Sequence, residues 1–386
     1  MNKNHLKKVL LVFPSTFSAN RKDNLKTIVK EKLELIHVKV NKIISEESCI
    51  AFEVTNLVEA SASLVDMFGI DKVAIANHVT NGFTDIVNTI VNTGKQIIFP
   101  EEKFFVKVEM SSNAKVSYVG RDIEFVSSSN LTVELSSIAA KPAKNEYEAN
   151  KTILSYIGKD SAYVCIQMDT AHGGLPFGSQ KEKVACSIHN VLSAVSCLIT
   201  VKCGFVPDFL ILYTNNDDLK ENAKLFSHIA NKTCIKKHKI RLAYIDLPDK
   251  FDHNVKLMLQ ESISANILTH LPENRLIIPL STAIHPTWFV EATMKQIVFA
   301  GKTPWLPLMF LTDSIYHNAK DTGLEDKINS CYTSIDTLIK DMAFKKEEYE
   351  KYENKIDVLS KAAIENMKTI SLKIGPNYLH DIIDSI

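Results

Sequence analysis

Apolar and polar positions along the chain follow two periods that alternate from segment to segment. Residues 8–13 read as a strand, with an unbroken apolar run over 9–13. Residues 21–35 carry Leu25, Ile28, Val29 and Leu35 at helical spacing, with Lys32 interrupting the stripe. Residues 36–44 and 49–54 predict an antiparallel pair around the polar turn 45–48. This βαββ order suits a small ferredoxin-like unit over 1–55. Beyond it, Asn56 is placed to cap a helix over 56–68, followed by a strand at 72–79. A helix over 82–93 is expected to stop at Gly94, a favourable C-cap residue. Residues 104–110 alternate as a strand does. The stretch 111–149 is rich in Ser and Asn turn formers, with a short strand at 132–135. Residues 161–168 predict a strand that leads into the loop His172-Gly173-Gly174-Leu175-Pro176-Phe177-Gly178-Ser179-Gln180.

After that loop the alternation becomes regular. Strands are expected at 184–188, 208–213, 240–245 and 275–280, and helices at 191–202 (closed by Gly204), 217–231 and 253–271. Strands alternating with helices of this length imply a doubly wound parallel sheet. Helices then dominate to the end. Ile356, Leu359, Ala363, Met367 and Ile370 form one apolar stripe, suited to docking on the same chain or to a homodimer seam.

A length of 386 residues predicts two or three domains, and 45% apolar residues are enough for buried cores. No apolar run reaches the roughly 18 residues that cross a bilayer, so no membrane partner is expected. The run 9–13 is too short for a signal-peptide core and reads as a buried first strand. Seven cysteines, an odd number without CxxC spacing, argue against a disulfide framework and a sequence-local zinc site. They suit a reducing, cytoplasmic setting. Net charge is zero, so the overall balance gives no argument for nucleic acid. Between Met1 and Ile43, however, ten basic residues stand against three acidic ones. Arg21, Lys22, Lys26 and Lys30 on the first helix are the candidate phosphate contacts.

The octapeptide GGLPFGSQ at 173–180, followed by a strand, a helix, Lys202-Cys203-Gly204 and another strand, resembles the junction of the tRNA 4-thiouridine synthetases. The resemblance covers most of the chain. It implies a ferredoxin-like domain (1–55), a THUMP-like RNA-binding domain (56–172), a PP-loop α/β domain of the adenine nucleotide alpha hydrolase type (173–345) and a C-terminal helical extension (346–386). It also implies tRNA as partner, ATP and Mg²⁺ as cofactors, and Gly178 and Gln180 among the nucleotide-binding residues. Chemistry in that family depends on an SGGxDS loop, whose glycines let the backbone approach a pyrophosphate at a helix N-terminus. The matching positions are Ile188, His189, Asn190, Val191, Leu192 and Ser193, and only the serine is kept. His and Asn tolerate φ > 0 better than most residues, so the backbone shape is expected to persist while the side chains fill the phosphate space. The usual grip on ATP–Mg²⁺ is therefore expected to be lost or rebuilt around His189, Asn190 and Ser193.

A second resemblance lies further on. Pro307-Leu308, Gly323, Ser330-Cys331-Tyr332 and Met342-Ala343-Phe344 look like the end of the 7-cyano-7-deazaguanine synthases, where the SCY cysteine joins three others on zinc. Cys331 has no cysteine after it, so no zinc is expected, and Cys331 is left as a candidate nucleophile or sulfur carrier. His285, in the loop after a predicted strand, is a candidate base. Asp169 and His172, Asn215 to Asp218, and Lys302 are weaker candidates for ligand contacts. These features predict a tRNA-modification-related, RNA-binding protein with a degenerate ATP site. Any sulfur or catalysis would come from a partner protein. The alternatives are an active adenylating enzyme for tRNA thiolation or deazaguanine-type synthesis, and a protein-binding scaffold.

Overall fold

The computed structural model describes residues 7–233, 235, 237–247, 253–310, 320, 346–373 and 382–383. The chain divides into two compact units, 1–176 and 177–386.

In the first unit, β1 (Lys7–Pro14) buries its apolar run, as a central strand must. α1 (Lys22–Leu35) buries Leu25, Ile28, Val29 and Leu33. Leu33 replaces Leu35 in the expected stripe because it stands a full turn beyond Val29. β2 (Val40–Ser45) and β3 (Ile50–Val54) pair antiparallel, with Ile43 opposite Phe52. α2 (Leu57–Val65) starts where Asn56 accepts the Glu59 N–H, and β4 (Ile70–Thr80) follows. The order β2-β3-β1-β4 of antiparallel strands is the ferredoxin-like βαββαβ arrangement. It runs on to Thr80, where only a βαββ piece ending at 55 was expected.

Four further strands widen this sheet to eight, in the order β2-β3-β1-β4-β8-β7-β5-β6. They are β5 (Lys103–Met110), β6 (Lys141–Pro142), β7 (Lys151–Ile157) and β8 (Ser161–Gly173). α3 (Phe83–Ile97) and α4 (Gly120–Glu134) pack on this half. Two expectations fail here. Gly94 does not end α3: a Cβ on it would lie 2.5 Å from Leu131 Cδ2, so its bare backbone lets α4 approach mid-helix. The expected strand at 132–135 is instead the end of α4, whose buried residues Ile123, Ser127 and Leu131 recur every fourth position. Serines hid that period.

The second unit contains β9 (Lys183–Ile188), α5 (Val191–Lys202), β10 (Val206–Tyr213), α6 (Asn216–Ala230), β11 (Lys237–Tyr244) and α7 (His253–Thr269). After these come β12 (Arg275–Ile277), α8 (Thr287–Phe299), β13 (Thr303–Trp305), α9 (Lys346–Glu365) and β14 (Lys368–Lys373). The sheet order is β13-β12-β9-β10-β11-β14, parallel except for β14. From β9 the chain winds one way through β10 and β11, and β12 lies on the other side. The crevice beyond the ends of β9 and β12 is therefore the topological switch point. The apolar stripe of α9 docks on the same chain: Ile356 and Ala363 join the core with Met258 and Ile263 of α7. Ile370 is not on that helix. It lies in β14 opposite Ile240, so the helical reading of the C-terminal stretch ends at Glu365.

Candidate functional site

The switch point is built from the loop between β9 and α5. Asn190 is extended, with φ −164°, and its side-chain oxygen accepts the Ser193 N–H at 2.8 Å. Ser193 returns the contact: its Oγ accepts the backbone N–H groups of His189 at 2.9 Å and Asn190 at 3.0 Å. This reciprocal capping satisfies three amides at the mouth of the loop. Neither His189 nor Asn190 takes a positive φ, so the glycine-like backbone shape expected at these positions is absent.

Beneath the loop lies a group that the sequence did not single out. Glu261 of α7 has its side chain 1% exposed, as has His189. Asn190 Nδ2 donates to Glu261 Oε1 at 3.0 Å. His189 Nε2 lies 3.1 Å from the same oxygen, at an ion-pair distance but off the direction of a hydrogen bond. Burial pushes the Glu261 carboxyl up, but His189, His285 and Asn190 outweigh it and hold it below the usual carboxylate value. His285, on the far side of the switch point, is also buried. Its Nδ1 accepts the Ser281 N–H at 3.1 Å, and its Nε2 has no hydrogen-bond partner. Burial pushes its pKa down, against the pull of Glu261. Trp288, three residues on, packs on Phe289 and Tyr349. Above the loop opens a cleft of about 260 Å³ lined by His189, Asn190, Asp218, Glu221, Lys256 and Gln260.

The structure does not gather the remaining candidates here. Gln180 hydrogen-bonds the Gly204 carbonyl through its N–H at 3.0 Å and the Cys203 carbonyl through Nε2 at 3.3 Å. That places Gln180 and the nearby Gly178 at the C-terminal end of α5, about 18 Å along a twelve-residue helix from Asn190. The first half of the octapeptide belongs to the first unit. There Ser15 Oγ donates to the Gly174 carbonyl at 2.5 Å, and Gly69, at φ +92°, sits so close to Pro176 that a Cβ would meet its nitrogen at 2.8 Å. The hydrogen bonds of Gln180 thus go to the C-terminal end of α5.

On α1, Lys22 donates to the carbonyls of Glu46 and Glu47, and Lys26 pairs with Asp23 at 2.8 Å. Arg21 is half-buried at the start of α1, and Lys30 is exposed. Lys302 is no anion clamp, because its ammonium donates to the carbonyls of Leu271 at 2.6 Å and Glu273 at 3.0 Å. His172 lies 3.4 Å from Asp66, and Asp169 accepts from Gln167 at 3.0 Å. Asn215 caps α6 through the N–H groups of Asp217 and Asp218. Burial pushes the thiols of Cys49, Cys165, Cys186 and Cys203 up, Cys165 to about 12, which keeps them protonated and poorly nucleophilic. Cys331 and the SCY element lie outside the described residues. Among the described residues no His, Cys, Asp and Glu side chains cluster as a metal site, and no helix is long and apolar enough to cross a membrane.

No family model and no curated protein matches the chain. Solved structures match its fold. One is the crystal structure of PH1313 from Pyrococcus horikoshii Ot3, with TM-score 0.63 and 18% identity over 82% of this chain and all of the other. Another is a 4-thiouridine synthetase–RNA complex with bound ATP, with TM-score 0.66 and 13% identity over 95% of this chain and all of the other. At these identities the likeness concerns the fold, a mixed α/β architecture like that of the thiouridine synthetase.

Proposed function

We propose that this protein binds tRNA in a tRNA-modification system and that its second unit no longer grips ATP–Mg²⁺ in the thiouridine-synthetase manner. One observation carries the second half: the amides of His189, Asn190 and Ser193, in the position of the family's phosphate loop, are already bonded to Ser193 and Asn190 side chains. A triphosphate would have to break that lattice. It would also meet the carboxylates of Asp218 and Glu221 on the cleft wall. The fold likeness to a synthetase solved with RNA supports the first half. In this reading the protein is a pseudoenzyme of cytoplasmic tRNA metabolism that presents RNA to a partner supplying sulfur or catalysis.

Calorimetric titration with ATP–Mg²⁺ tests the site. Millimolar or absent affinity is expected, and micromolar binding with pyrophosphate release would overturn the reading in favour of an active adenylating enzyme. Filter binding to bulk tRNA across salt concentrations tests the other half. A linear fall of log K with log salt is expected, weakened by removing Arg21 and Lys30. No binding at low salt would leave the scaffold alternative.

A further inference from the structure

The head of α5 has the features of a small-anion site. A twelve-residue helix begins there, an amide donor, Asn190 Nδ2, and the buried His189 imidazole meet at one carboxylate oxygen, and a second buried imidazole, His285, acts electrostatically on the same carboxyl. His189 Nδ1 and His285 Nε2 are buried without hydrogen-bond partners. His189 also adjoins the cleft above. That carboxyl belongs to Glu261, on an α7 whose neighbouring residues Met258, Leu259 and Ile263 are all core. A carboxylate so placed is expensive to bury unless donors and positive charge meet it. Those donors are of the kind that hold a bound oxyanion elsewhere.

We propose that Glu261 is a built-in anion: its carboxylate occupies the place at the head of α5 that a small oxyanion, carboxylate or phosphate, would take, and so keeps the site closed to external phosphates. The inference rests on the reading that the second unit does not grip ATP, and it adds a carboxylate held behind the capped loop by Asn190 Nδ2 and His189. It has a consequence that a merely structural glutamate would lack. Removing the carboxylate while leaving His189, His285 and Asn190 in place opens a vacancy that a free oxyanion can enter.

The test uses the full chain carrying Glu261→Ala, with Glu261→Gln as a control that keeps the volume and discards the charge. Thermal unfolding is followed in sodium acetate, sodium phosphate and sodium chloride at matched ionic strength. For Glu261→Ala the midpoint is expected to rise with millimolar acetate or phosphate well beyond its rise in chloride. The wild type and Glu261→Gln should respond alike to all three salts. If Glu261→Ala does not fold in plain buffer, refolding yield in the same salts reads the same quantity. Equal responses of Glu261→Ala to chloride and the oxyanions overturn the inference, as does a wild type that answers phosphate as strongly as the variant. The ATP–Mg²⁺ titration of the wild type keeps the two readings apart. No nucleotide binding together with no oxyanion rescue defeats only the built-in anion, whereas micromolar nucleotide binding defeats the reading beneath it.

Discussion

Two neighbouring turns of the second unit use the same residue for opposite ends. After β9, Asn190 caps α5; after β10, Asn215 caps α6, and both are extended at the cap with φ −164° and −158°. At α6 the first turn faces water: Asp217 is 93% exposed and meets Lys220. At α5 the cap faces inward, and its amide donates to a carboxylate 1% exposed. A cap of one type is thus an open helix start in one place and part of a sealed polar core in the other. What decides is the element behind the loop, and behind α5 that element is α7.

The contrast can be broken or sharpened experimentally. The largest effect is expected for Glu261→Ala, which leaves the Asn190 amide and the buried His189 ring without their carboxylate partner. Urea unfolding should show a loss of about 3–5 kcal/mol in oxyanion-free buffer. Acid should come next. His285 has a folded pKa below its ordinary value, so its neutral form favours the native state. Its contribution is present above pH 6.5 and is lost as pH falls below that value. His238, buried beside Thr233 with its pKa pushed down to about 4, has the same sign. It alone should remove about 3 kcal/mol between pH 6.5 and 4. Glu261 adds a further loss as pH falls through its lowered pKa, beginning near the ordinary 4.5. Stability measured against pH should therefore decline steadily from pH 6.5 downwards, and His238→Phe should flatten the upper part of that decline. Third, Asn190→Ala removes both a cap and a donor to a buried charge, at about 2–3 kcal/mol. Asn215→Ala removes only a cap, at about 1 kcal/mol in the same assay. Equal losses for the two asparagines would erase the distinction.

Much of this architecture was legible beforehand, for reasons particular to each element. β9, α5 and β10 announce themselves because apolar runs of the right length are punctuated by Asn190 and Gly204. The register of the loop between β9 and α5 could be counted back from that glycine. β7 escaped because it lies beyond a Ser-rich stretch whose helical period was masked, and β14 because its alternation adjoins a long helix. Glu261 was illegible for a deeper reason. On a single sequence, one acid in an apolar helix reads as its solvent-facing position. Only packing of α7 between the sheet and α9 turns that position inward. Gly178 and Gln180 suggested a phosphate cradle because a glycine-rich loop stands beside a nucleotide-type domain, and the hydrogen bonds of Gln180 run to the carbonyls of Cys203 and Gly204.

The late strand β14 has an implication for biosynthesis. It is the antiparallel neighbour of β11, pairing Lys237 with Lys373 through to Leu242 with Lys368. More than a hundred residues of translation separate these partners. Until residues 368–373 emerge from the ribosome, β11 presents a row of bare amide and carbonyl groups to any nascent chain nearby. His238 and Lys239 interrupt the hydrophobicity of that temporary rim, and a bacterial or eukaryotic host that supplies a holding chaperone during elongation should raise the yield of correctly finished molecules.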